Sequence, residues 1–247
     1  RHADRCALCA SWRRGPGPDA VATYHEHLGP LPPVMVDVIH RFLRSAGQLR
    51  RPWFEAVTAD AAGGLSAAAY VETLGVLATV VTLDTTAGAL GATVPETGDG
   101  EPGEPTRHRP APEAFADAGA WVPLLDPDRA AEAHTEAERA LAVEGGEANL
   151  LRALSLVPAE AATFARLRAV GYLAPAQRDD PATGRALTRP QMELLAARLS
   201  VLNGCYYGAA AHAWLLRESS RRLGERYDLR ALLAPGPEGG RVRHGPE

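Results

Sequence analysis

Apolar residues along this chain recur mostly at three- and four-residue intervals, the period of helices seated on a core. Val34, Val38, Phe42 and Leu43 form one such stripe after Pro30-Leu31-Pro32-Pro33. Met35, Val36 and Ile39 widen it, which predicts burial on more than one side. Val21, Tyr24 and Leu28 predict an earlier helix over 19–28, with His25 and His27 flanking its stripe at the surface. A short helix follows Pro52 and ends at Gly63-Gly64. The most apolar run, 67–90, comes after Ser66, a residue suited to an N-cap. Its length and Ala content favour a buried helix over a strand, with Glu72 and Asp84 as isolated carboxylates on it. Residues 128–143 read as a polar, Ala-rich helix. Leu150, Leu151, Leu154 and Leu156 mark another, stopped by Pro158, and Phe164, Leu167 and Val170 mark the next, over 159–173. A short helix over 227–233 precedes a Gly/Pro-rich tail. Period-2 alternation is weak everywhere, so the expected class is all-α.

Two helical runs meet within 188–222. Thr188 and Gln191 have capping-box spacing, and Pro190 lies in the first turn, where its missing N–H costs nothing. Asn203-Gly204 tolerates positive φ and predicts a break. Cys205 then falls in the first turn of the second run, where free N–H groups favour a thiolate. His212 lies seven residues on, on the same helix face. Glu193 is twelve residues before Cys205, about 18 Å on a straight helix, and approaches it only if the chain folds back at Asn203-Gly204. A carboxylate, a thiol and an imidazole so placed can handle protons. A chance grouping of a Cys, a surface His and a helix Glu is the plain alternative. Tyr206 and Tyr207 read as core or as a pocket wall.

Composition narrows the picture. Hydrophobic residues make up 46% and charged residues 23%, a globular balance. A net charge of −4 gives no support for a general nucleic-acid role. No apolar run approaches the roughly 18 residues needed to span a membrane, and no secretory core is visible. Arg1 in place of Met reads as a processed or trimmed start. Residues 93–112 carry Pro95, Pro102, Pro105, Pro110 and Pro112 among Gly and charged residues, and predict a linker between halves at 1–92 and 113–247. The cysteines are Cys6, Cys9 and Cys205, an odd number that argues against a disulfide framework and fits a cytoplasmic protein. Cys6-Ala7-Leu8-Cys9 reads either as two small packing residues or as a redox pair, with Arg5, Arg13 and Arg14 favouring a thiolate. No second Cys pair completes a zinc site, and His40 reads as a core histidine, so no metal or cofactor is expected.

The combination of Glu193, Cys205 and His212 resembles the motif of the alkylhydroperoxidase AhpD-like and carboxymuconolactone decarboxylase family. Redox members carry Glu, then Cys-x-x-Cys-x-x-x-His. Gly208 occupies the place of the second, peroxide-attacking cysteine. The resemblance covers about forty residues well, and the run 65–91 more loosely. It implies an AhpD-like helical bundle, here as a tandem duplication with a diverged or truncated first copy. It also implies a thiol-dependent hydroperoxide reductase taking electrons from a thiol or dithiol donor, and a homo-oligomer. In that scheme Cys205 matches the resolving cysteine, and Glu193 and His212 the proton relay. With glycine at 208, Cys205 works alone, resolved by an external thiol or by Cys6 or Cys9. The alternatives are a non-redox acid–base enzyme of the decarboxylase branch and a catalytically reduced binding or assembly protein.

Overall fold

A computed structural model describes residues 2–12, 17–26, 29–59, 63–94, 108–126, 128–129, 149–173, 184–234 and 244–246. It is mostly helical, as the periodicity predicts. The chain divides into two compact units: Arg1–Ser45 with Leu49–Arg168, and Ala46–Gln48 with Ala169–Glu247.

The first unit begins with two short helices, α1 (His2–Arg5) and α2 (Ala7–Ser11). Next come α3 (Pro33–Ser45), α4 (Arg51–Thr58) and α5 (Ala67–Leu90). Strands β1 (Phe115–Ala116) and β2 (Leu124–Leu125) form a small antiparallel pair. Helices α6 (Asn149–Leu154) and α7 (Pro158–Gly171) follow, the last three residues of α7 belonging to the second unit. Helix α5 starts as its sequence predicts: Ser66 accepts the Ala69 N–H at 3.1 Å. It stops at Gly91, whose φ of 64° lets the chain turn back on the last carbonyls.

Val38, Trp53 and Val57 are shut off from solvent and pack with Tyr70 and Val71 of α5, Leu154 of α6, Ala161 of α7 and Val157 between the last two helices. Burial of each such side chain contributes about 1.5–3 kcal/mol. This packing moves the division of the chain. Residues 113–168 were expected with the C-terminal half, but the apolar faces of α6 and α7 complete the core of α3–α5. Most of 93–112, most of 128–143 and the tail over 235–243 lie outside the described residues.

Two expectations are corrected here. Residues 19–26 are not helical. The Arg41 guanidinium takes the carbonyls of Pro18 and Ala20 at 2.7 and 2.9 Å and fixes that stretch outside a helix. Second, α5 is long and apolar enough, by length and composition, to cross a membrane. Its 24 residues hold only Glu72 and Asp84 as charges, so the run reaches the length the sequence reading denied it. Its early turns bury Tyr70 and Val71, whereas Val76, Val80, Leu83 and Leu90 are exposed, so only its first part is the buried helix anticipated.

The second unit is a helical hairpin with a short cap. Helix α8 (Arg189–Leu202) opens with the full capping box: Thr188 Oγ1 accepts the Gln191 N–H, and Gln191 Oε1 accepts the Thr188 N–H at 3.0 Å. Gly204, at φ 66°, makes the turn into α9 (Tyr206–Arg222). Helix α10 (Leu229–Leu233) is capped by Asp228. Ala197, Leu216 and Leu232 form the small core of this unit. Strand β3 (Glu225–Tyr227) pairs antiparallel with β4 (His244–Pro246), so the end of the Gly/Pro-rich tail joins a two-stranded ladder.

Candidate functional site

The turn at Asn203-Gly204 lays α9 against α8, and this brings Glu193 to His212. His212 Nδ1 lies 2.8 Å from Glu193 Oε2. Glu193 is wholly buried, and its other oxygen accepts hydrogen bonds from Arg189 Nε and from the hydroxyl of Tyr172. Arg189 is one helical turn before Glu193, the i,i+4 spacing at which side chains meet. The Tyr172 ring also meets the His212 imidazole edge-on, with centroids 5.9 Å apart. Both carboxylate oxygens are thus engaged, and a buried carboxylate needs such partners. His212 remains partly exposed, while Glu193 holds its Nδ1.

Cys205 is the N-cap of α9, and its Sγ accepts the Gly208 N–H at 3.4 Å. The thiol is exposed. Seven residues of helix separate it from His212, about 10 Å of rise. Among the described residues Cys205 Sγ hydrogen-bonds to Gly208 alone. Gly208 is packed: a Cβ there would stand 2.6 Å from Ser200 Oγ and 3.2 Å from Cys205 Sγ. A cavity of about 390 Å³ in this unit, lined by Arg217, Arg221, Arg226 and Tyr227, sits by the far end of α9 and includes none of these groups.

A second cluster lies in the first unit. Cys6 and Cys9 are 2% and 6% exposed and face two buried histidines. His25 Nδ1 is 3.5 Å from Cys6 Sγ and 3.6 Å from Cys9 Sγ, and His40 Nδ1 is 3.5 Å from Cys9 Sγ. The four donor atoms all lie within 4.8 Å of one another, a donor set able to hold a transition-metal ion. His25 Nε2 meets Asp37 Oδ1 at 2.6 Å. Asp37, fully buried, also accepts Arg41 Nε at 2.8 Å and Trp53 Nε1 at 2.8 Å. Burial works to raise the Asp37 carboxyl, but the hydrogen bonds from His25, Trp53 and Arg41 outweigh it and hold it below the usual carboxylate range. Burial likewise works to raise Cys6, yet hydrogen bonds from the Cys9 backbone and the His25 ring bring it down to about 7. Burial, reinforced by Cys6, pushes Cys9 up to about 12.

The structure therefore brings Glu193 and His212 together, sets Cys205 on the same helix as His212, and places Gly208 between them in sequence. It corrects the surface assignment of His25, which is buried at both thiols. His40 is buried as expected, but beside Cys9. The sequence reading missed Tyr172, Arg189, Asp37 and the two histidine partners. Arg189 was accessible from its i,i+4 spacing to Glu193. His25 was hidden by the helical reading of 19–28. Comparison with known proteins finds no match, whether to a family, to a curated protein or to a solved structure.

Proposed function

We propose that the second unit is an AhpD-like thiol-dependent hydroperoxide reductase that works with a single cysteine. The observation that carries the reading is the buried Glu193, fixed by Arg189 and Tyr172 and holding His212 Nδ1, with an exposed thiol at the start of the same helix. In the proposed reaction the Cys205 thiolate attacks the distal oxygen of a hydroperoxide. An S–O bond forms, the O–O bond breaks, and the leaving alkoxide takes a proton relayed from His212, giving the alcohol. Cys205 is left as the sulfenic acid. One external thiol displaces water to give a mixed disulfide, and a second releases Cys205 and leaves as the donor disulfide. Cys6 and Cys9 are buried, so the external thiol takes the resolving role. A homo-oligomer belongs to the same proposal, supported by the exposed stripe Leu195, Leu199 and Leu202 on α8.

The missing hydrogen bond between Cys205 and the Glu193–His212 pair favours one other reading, an acid–base enzyme in which His212 abstracts a proton without the thiol. The two are separated by consumption of cumene hydroperoxide in the presence of dithiothreitol. The peroxidase reading expects turnover that Cys205→Ser abolishes and His212→Asn slows by about 100-fold, the scale of general acid–base catalysis. No consumption by the unaltered, reduced chain defeats it and leaves the acid–base reading.

A further inference from the structure

We propose that Cys6, Cys9, His25 and His40 bind one zinc-class divalent ion in a closed, four-ligand site, with Asp37 orienting His25 from behind. The first argument is metric. Zinc–sulfur bonds of about 2.3 Å and zinc–nitrogen bonds of about 2.0–2.1 Å at tetrahedral angles place S and N about 3.5–3.6 Å apart. Three S–N separations in the cluster are 3.5, 3.6 and 3.5 Å. The second is the tautomer. Asp37 engages His25 Nε2, so Nδ1 is the nitrogen turned to both sulfurs, and with its proton displaced by a metal it is the lone pair that faces the ion. A carboxylate behind a histidine ligand is the usual outer partner of zinc sites.

Charge gives a third argument. Two thiolates balance one divalent ion, and Asp37 is balanced by Arg41, whose guanidinium also lies 4.5 Å from the Trp12 ring. The buried assembly is then neutral, as a site out of solvent must nearly be. A redox pair would need an accessible thiol, and both sulfurs are buried. Four protein ligands leave no open position, so the ion's part is structural. It also accounts for the order of α1 and α2, which at four and five residues are too short to hold as isolated helices. The site ties them to the stretch ending at His25 and to α3 through His40.

The test uses the full chain purified without chelator. The expected result is one equivalent of zinc per chain. After stripping under reducing conditions, Co(II) should give visible ligand-field bands and a thiolate-to-metal charge-transfer band, both bleached by zinc. Cys9→Ser should lose the charge-transfer intensity in part and the zinc stoichiometry in competition with a chelator. Asp37→Asn should weaken zinc by about 10–100-fold, the usual effect of removing an outer partner. Should Cys9→Ser fail to fold, the Co(II) spectrum of the unaltered chain decides alone, because only sulfur ligation gives that charge-transfer band. A chain without stoichiometric zinc whose reduced form gives no such band overturns the proposal. So does a purified chain carrying a Cys6–Cys9 disulfide, which would make the pair redox-active.

Discussion

Gly208 is where the sequence motif and the structure can be set against each other quantitatively. A Cβ at 208 meets Ser200 Oγ at 2.6 Å and Ser200 Cβ at 3.2 Å. Ser200 Oγ itself donates to the Ala196 carbonyl at 2.8 Å. Gly208→Ala therefore forces the hydroxyl off that carbonyl, losing about 0.5–1.5 kcal/mol. Against this, replacing a helical glycine gains about 0.5–1 kcal/mol. The single substitution should come out near neutral or slightly destabilising. In a Ser200→Ala background the close oxygen is gone, and Gly208→Ala should recover most of its gain. The two changes should thus couple by about 1 kcal/mol, within the range for residues in contact. Urea denaturation of the four chains, followed by circular dichroism, measures the cycle. Additivity, with Gly208→Ala stabilising by the full helical amount beside an intact Ser200, would refute the packing of α8 on α9 described above. The same contact means that a second cysteine is best introduced as Ser200→Ala with Gly208→Cys, not as Gly208→Cys alone.

Other outcomes follow from the two units. Glu193→Ala takes the carboxylate partner from buried Arg189 and should cost about 3–5 kcal/mol, the usual penalty for breaking a buried pair. Glu218→Gln, whose partners Arg217 and Arg221 are exposed, should stay within about 0.5 kcal/mol in the same denaturation assay. Burial and the charge of Glu72 raise the Glu160 carboxyl, so the folded state holds that proton more tightly than the unfolded chain. Stability from this group is present at low pH and lost as pH rises through its folded value. Glu160→Gln should accordingly raise the melting temperature at neutral pH, with the gain vanishing below about pH 4, the ordinary glutamate range. A zinc chelator should open the N-terminal segment to limited proteolysis while residues 184–234 stay protected, and added zinc should restore resistance. Cleavage unaffected by the chelator would go against a structural ion.

Local signals carried most of the helical elements. Ser66, the Thr188–Gln191 box and Gly204 act through neighbouring backbone groups, so they were legible in the sequence. The Glu193–His212 pairing was legible as a conditional, since only a fold-back at Asn203-Gly204 could join residues nineteen apart. Tyr172 was not, because its place beside Glu193 is set by the packing of another segment. The cluster around Cys6 and Cys9 was illegible for a different reason. Its donors come from three segments, and His25 reaches them only because Arg41 pins the carbonyls of Pro18 and Ala20 and keeps that stretch from coiling. No periodicity within 19–28 reports a constraint imposed from α3. The assignment of α6 and α7 to the first core was hidden in the same way, since an apolar stripe does not say which core it faces.

The most direct measurement is chemical trapping at the thiol. The reduced chain would be treated with one equivalent of cumene hydroperoxide in the presence of dimedone, and the adduct located by peptide mass spectrometry. The account predicts a dimedone adduct at Cys205, absent in Cys205→Ser and formed more slowly in His212→Asn, with Cys6 and Cys9 unmodified. An unmodified Cys205, or an adduct formed first at Cys6 or Cys9, would contradict it.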